Sequence, residues 1–244
     1  MGSEKTYADV APGAVGVDFD HPAEAGYRFD IIDADRGIVK VAAGVTPRKK
    51  FAICGFAASS RMAAPFDDPE YEIWTLNQLY RHVPRSTRHF DIHDNWNEDN
   101  VEGTDHVGWL RKCGRPVYMS TREPTIPTAV NYPVEEVIRR VVGCDYFTST
   151  VAFMFALAIL EIDNQVEAEV EALRTRIADG DAVAGALSQD PAKLLAWHRD
   201  LYAQREIAVF GIDLIVGEEW DYQKPCAEYI LGLANARGIT VRIP

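Results

Sequence analysis

The chain of 244 residues is 47% hydrophobic and 25% charged, which fits one large α/β domain or a core domain with a modest appendage and excludes wholesale disorder or a small disulfide-stapled scaffold. A net charge of −12, from 25 basic against 37 acidic residues, argues against broad sequence-independent binding to nucleic acid, which relies on phosphate neutralisation by Lys and Arg. Cys54, Cys113, Cys144 and Cys226 form no C-x-x-C pair, the longest apolar run, Val151 to Leu160, is too short to span a bilayer, and Met1 to Phe19 lacks the apolar stretch of a signal peptide, so reduced thiols, a cytoplasmic location and no membrane contact are expected.

Residues 1–26 are rich in Gly, Ala, Pro and Asp and read as an irregular arm. Arg28-Phe-Asp-Ile-Ile-Asp and Ile38-Val-Lys-Val alternate about the turn-like Ala34-Asp-Arg-Gly, the pattern of a small hairpin. Residues 1–50 are therefore set apart from an α/β domain over 51–244. That domain starts with Phe51-Ala-Ile-Cys-Gly-Phe-Ala, an unbroken apolar run leading into Ala58-Ser-Ser, as expected for a strand buried on both faces that turns into a helix. Further strands are expected at Glu72–Asn77, His89–His93, Pro116–Ser120, Ile207–Asp213 and Thr240–Ile243, with helices between them. The pattern predicts a doubly wound, mostly parallel, Rossmann-like sheet. Acidic residues dominate 1–35 and 156–207, whereas 36–150 is near balance. Arg48-Lys49-Lys50, Arg81, Arg85, Arg88, Arg111, Lys112 and Arg115 there form either a local basic surface or a solvated mixed-charge face. Residues 164–206 read as a helical-hairpin insertion: a charged helix over Val166–Ile177, a turn at Asp179-Gly180-Asp181 and a second helix through Leu194, Trp197 and Leu201. A lid, a homo-oligomer contact and a surface excursion are the roles open to it. The last helix carries Cys226, Tyr229, Ile230, Leu233 and Ala234 at helical spacing and stops at Gly238.

In an open α/β sheet, ligands bind beyond the carboxyl ends of the strands. That rule selects Gly55, Ser59 and Ser60 after the first strand, Asn77 after the second, His93 and Asp94 after the third, and Asp213, Glu218, Glu219 and Tyr222 after the later apolar strand. The first turn carries neither G-x-G-x-x-G nor a P-loop pattern. Ser59 and Ser60 suit a helix N-terminus that meets phosphate or is simply capped. Asn77 offers donors and an acceptor to a nucleobase or ribose, or serves as a turn residue. Asp91 and His93 alternate along one strand, so the carboxylate is expected to orient the imidazole as a general base, with a structural pair as the other reading. Thr148, Ser149 and Thr150 open a strongly apolar helix and make either an anion cradle or a cap. Glu218, Glu219 and Asp221, without a paired His motif, are a weak metal signal.

Four segments together resemble the sialyltransferase-like glycosyltransferase fold, a group that includes bacterial sialyltransferases, uncharacterised bacterial and phage proteins and, by related fold, archaeal pterin pyrophosphokinases. Cys54-Gly-Phe-Ala-Ala-Ser resembles the family's C-G-N-G-P-S turn, and Trp74-Thr-Leu-Asn-Gln-Leu-Tyr its R-C-N-Q-F-Y segment. Tyr146-Phe-Thr-Ser-Thr-Val-Ala-Phe-Met resembles its S-S-G-x-x-M helix start. Ile207-Ala-Val-Phe-Gly-Ile-Asp-Leu with Glu228-Tyr-Ile-Leu-Gly resembles its I-x-L-x-G-I-D-x strand and following Y-I-G. The resemblance implies a metal-independent transferase with no cofactor beyond a nucleotide-sugar donor, held at Gly55, Ser59, Ser60, Asn77, Thr148–Thr150, Asp213 and Tyr222. The family's catalytic His before Y-I-G has no counterpart here. His93 with Asp91 is therefore the candidate base and Glu219 the second. Phe56 and Ala57 replace the family's Asn-Gly, and Thr150 replaces a glycine. The acceptor is a hydroxyl; a modified nucleobase in DNA is conceivable if the protein comes from a phage. A nucleotide-processing phosphotransferase and an inactive nucleotide-binding protein are the alternatives.

Overall fold

A computed structural model describes residues 20–94, 96, 105–212 and 220–244. The alternating N-terminal segments pair antiparallel as β1 (Phe29–Asp33) and β2 (Ile38–Val41). β3 (Lys50–Cys54), β4 (Tyr71–Leu76), β5 (Arg88–Asp91), β6 (Val117–Met119), β7 (Ala129–Asn131), β8 (Glu206–Phe210) and β9 (Thr240–Arg242) form one sheet in the order β7-β6-β5-β4-β3-β8-β9. Every pairing in it is parallel. The helices are α1 (His106–Lys112), α2 (Val134–Val137), α3 (Thr150–Ala178), α4 (Ala182–Ser188), α5 (Pro191–Ala203) and α6 (Trp220–Arg237). The strand order reverses between β3 and β8, as in a Rossmann-like sheet.

Several boundaries differ from the sequence expectation for identifiable reasons. The helix expected after Ser59-Ser60 is only a 3-10 turn, Arg61–Ala63, because Pro65 and Pro69 leave no room for a longer helix before β4. β7 has three residues between Pro127 and Pro133, too few for a periodic signal. β5 stops at Asp91 and β8 at Phe210, so His93 falls beyond its strand rather than within it, and Asp213 lies outside the described residues. The charged stretch Val166–Ile177 does not begin a new helix. It continues α3, whose 29 residues contain no Gly or Pro to break the hydrogen-bond ladder.

The strands bury their apolar residues on both faces. Across one face runs an aromatic ladder from Phe51 through Trp74 and Phe90 to Tyr118, with centroid spacings of 5.2, 5.2 and 4.9 Å. The first three turns of α3 cover this ladder and are themselves covered by α6, which is why Val151–Leu160 is apolar all round, each residue buried except half-buried Phe153. On the other face lie α1 and the 3-10 helix Asn77–His82.

At the amino end of the ladder the pattern becomes ionic. Arg88 donates to Glu72 Oε2 (2.8 Å), to Tyr118 Oη (2.8 Å) and to Glu161 Oε1 (2.9 Å) on α3. Glu72 also accepts from Tyr27 Oη (2.7 Å) and Trp74 Nε1 (2.8 Å). Glu24 pairs with both Arg48 and Arg85. The basic surface weighed from sequence therefore loses Arg48, Arg85 and Arg88, which are buried in ion pairs. The hairpin closes over this network: the Arg88 guanidinium lies 4.7 Å from the Phe29 ring centre, and Asn131 binds Ala34 O and Asp35 O at 2.8 Å each.

Removing one member of a buried ion pair leaves its partner uncompensated. Arg88→Met should lower stability to urea by about 3–5 kcal/mol, whereas Arg174→Met, whose pair with Glu171 is exposed, should cost less than about 1 kcal/mol. Equal losses in the two variants would show that the Arg88 network does not hold the sheet.

Candidate functional site

Helix α3 runs antiparallel to the strands. Near its start Phe153 O accepts from Tyr132 Oη just past β7, whereas Glu161 meets Arg88 at the start of β5 and Gln165 donates to Arg48 O ahead of β3. The N-terminus of α3 therefore stands at the carboxyl edge of the sheet. Ser149 caps it, accepting from Ala152 N at 3.2 Å, and Thr150 is buried as the first helical residue. The hydroxyl of Thr148 is buried and has no partner.

Asn77 lies just past β4 at the same edge. Its φ of +46° makes it the one non-glycine residue with positive φ among the described residues. Asn tolerates this left-handed backbone better than most side chains because a short amide can bond locally. Here the bond goes to His93: Nδ2 donates to His93 Nε2 at 3.1 Å, while Oδ1 is buried without a partner. The donation requires His93 to carry its proton on Nδ1. His93 and Asp94 are exposed just past β5.

The Asp91–His93 relay expected from alternation is not formed. Asp91 is fully buried and its Oδ2 lies 2.7 Å from His106 Nε2, because β5 ends at Asp91 and the chain leaves the pleat before His93. His106, the first residue of α1, also faces Tyr80 Oη at 3.4 Å, and Tyr80 stacks on Trp109 at 3.7 Å. Burial pushes the Tyr80 phenol up to about 12. His89 lies on the same face of β5, its Nδ1 3.0 Å from Thr75 Oγ1 and its Nε2 buried without a partner. Nothing in the sequence marked His106; only the docking of α1 beneath β5 brings it to Asp91.

At the strand-order reversal the two exiting chains close on each other. Gly55 N donates to Phe210 O and Ala57 N to Gly211 O, both at 2.8 Å. A Cβ on Gly55 would lie 2.5 Å from Gly211 O, and Gly211 has φ +63°. The glycines thus serve backbone approach. Ser60, expected at a helix mouth, instead accepts from Gly211 N at 2.9 Å, and Ser59 is exposed.

Asp213, Glu218 and Glu219 lie outside the described residues, as do the side chains of Asp221 and Tyr222. Among the described residues no group of three or more His, Cys, Asp or Glu side chains is arranged to hold a metal ion. Arg61, which no sequence pattern singled out, is buried beside Gly211, its Nη1 donating to Phe56 O at 2.6 Å. The strand-end rule that selected Ser59 and Ser60 would have reached it one position later. A shallow cavity of about 250 Å³ lined by Arg28, Phe29 and Pro116 among others opens at the opposite, amino end of the sheet. No family model, curated protein or solved structure matches the chain.

Burial, with a smaller contribution from His106, holds the His89 imidazole well below its ordinary value of 6.5. The folded protein keeps His89 neutral, so below that ordinary value the unfolded chain binds a proton the folded one refuses. Stability is complete above about pH 6.5 and should fall below it by up to about 1.4 kcal/mol per pH unit. Urea unfolding should show this acid slope in the native protein and a shallower one in His89→Gln. Identical slopes would mean that His89 protonates freely in the fold.

Proposed function

We propose that the carboxyl edge of β3–β5 binds a nucleotide-sugar and that the protein transfers the sugar to an acceptor hydroxyl. The observation that carries this reading is Asn77: a left-handed asparagine, placed where sheets of this kind take ligands, with one amide atom on an exposed imidazole and the other buried without a partner. A strained, under-satisfied amide is an unfavourable arrangement that a ligand's hydroxyl or base edge would relieve. The likeness of Trp74-Thr-Leu-Asn-Gln-Leu-Tyr to a glycosyltransferase segment supports the sugar-nucleotide identity of that ligand.

In this reading Thr148 and the free N–H groups of α3 face the departing phosphate, and dipole and hydroxyl together stabilise its charge. His93 is the base. Its Nε2 lone pair is held by Asn77 in the ligand-free protein; a donor that takes the amide releases the lone pair to accept the proton of the acceptor hydroxyl. Asp91 takes no part in this step because it is bound to His106.

Calorimetry with nucleotides should find an Asn77-dependent ligand, Asn77→Ala weakening it by about 1–3 kcal/mol with the fold intact. His93→Ala should lower turnover by about 10² to 10⁴ with donor affinity nearly unchanged. Unaltered affinity in the first variant, or unaltered turnover in the second, refutes the corresponding role.

Turnover should also survive EDTA, since helix N–H groups and hydroxyls meet the phosphate. Loss of activity on chelation, restored by Mg²⁺, would replace sugar transfer by phosphoryl transfer.

A further inference from the structure

Five arginines are buried in the described structure, Arg48, Arg61, Arg85, Arg88 and Arg205. Four of them meet carboxylates: Arg48 and Arg85 on Glu24, Arg88 on Glu72 and Glu161, Arg205 on Glu169. Arg61 has no carboxylate partner among the described residues. It is 7% exposed, its Nη1 is satisfied by Phe56 O and its Nε is buried without a partner. A buried guanidinium without a counter-charge is among the least favourable groups a fold can retain. Its place is also specific, beside Gly211 at the strand-order reversal on the carboxyl edge.

Two further basic groups stand beside it. His82 closes the 3-10 helix that Asn77 opens, and its ring lies 6.5 Å from that of Phe56, the residue whose carbonyl Arg61 binds. Arg81 precedes it and donates to Gln78 Oε1 at 3.4 Å, with no carboxylate partner among the described residues. Burial, then Arg61 and Arg81, hold the His82 imidazole below its ordinary value, so both guanidinium charges act on it. On a chain with a net charge of −12, three basic groups gathered with no carboxylate partner among the described residues suit an external anion.

We propose that Arg61, Arg81 and His82 form an anion site that takes the oxygens of a phosphoryl or diphosphoryl group. Arg61 binds from beneath, through the guanidinium edge its Phe56 contact leaves open. Arg81 and His82 close on the group from the 3-10 helix. A planar guanidinium with neighbouring donors suits phosphate oxygens, and partial burial strengthens each contact. The assignment deepens the donor-binding reading above and rests on it only for the ligand's identity as a nucleotide-sugar.

Inorganic pyrophosphate is the probe, titrated by calorimetry and by thermal unfolding against sodium chloride of matched ionic strength. Pyrophosphate should bind and raise the melting temperature where chloride does not. Arg61→Met removes the uncompensated charge while keeping its bulk. It should be at least as stable as the native protein without anion, yet bind pyrophosphate about tenfold to a hundredfold more weakly. Arg81→Ala alters a half-buried side chain and should lose roughly three- to tenfold in affinity with the melting temperature unchanged. The proposal is overturned if pyrophosphate gives no shift beyond chloride, or if Arg61→Met binds as tightly as the native protein. It is overturned too if Arg61→Met is destabilised and Arg81→Ala binds pyrophosphate normally, because Arg61 would then be a clamp on the Phe56 loop. Nucleotide binding that needs Asn77 but tolerates Arg61→Met defeats the anion site alone. Arg61-dependent pyrophosphate binding without sugar transfer from any donor defeats the transferase reading alone.

Discussion

The contact of Arg88 with Glu72 is the constraint on which the sheet depends. Both groups are fully buried, so neither could sit where it does without the other, and each is further bonded to a different part of the molecule. Glu72 reaches back to Tyr27 ahead of the hairpin; Arg88 reaches forward to Tyr118 on β6 and Glu161 on α3. One charge pair thus fixes strand neighbours, the axial position of α3 and the seat of the N-terminal segment together. Hydrophobic contacts along the aromatic ladder supply most of the favourable free energy but tolerate sliding. The ionic end does not, because a slip of one residue would leave charges unpaired in the core.

That arrangement divides the molecule. At the amino end of the strands Arg48, Arg85 and Arg88 all have carboxylate partners that hold the fold, although Glu24 Oε2 and Arg85 Nε are buried without hydrogen-bond partners. At the carboxyl end Asn77 Oδ1, Thr148 Oγ1 and Arg61 Nε are buried without partners. What sets the carboxyl end apart is that these groups stand where the helix mouth and the strand ends converge, and that Arg61 has no carboxylate partner among the described residues.

The sheet was most legible where a strand is a short unbroken apolar run followed by Gly, and buried parallel strands need little else. Phe51–Cys54 and Ile207–Phe210 announce themselves, whereas Ala129–Asn131 is too short to do so. Asn77, His93 and Thr148–Thr150 were reachable because each stands just past a strand or at the mouth of a helix. The partner of Asp91 was not. Alternation assumes the strand continues, and when β5 ends the geometry passes to α1, whose His106 is distant in sequence and carries no local mark. Arg48, Arg85 and Arg88 were misleading for a related reason. Charge read along a chain says nothing of the acid that meets it, and Glu24 sits in an arm whose composition suggests no fixed structure.

The pairing of β3 with β8 matches Lys50 to Glu206 and Cys54 to Phe210. During synthesis β4 to β7 can therefore assemble on one side of β3 long before its other neighbour has been made. Until Glu206–Phe210 leaves the ribosome, the Phe51-Ala-Ile-Cys edge presents a row of open backbone donors and acceptors on an apolar strand, the kind of edge that recruits strands from other chains. The nascent protein must keep that edge covered while α3, α4 and α5 are translated, and its yield in a cell will depend on how quickly the ribosome traverses them.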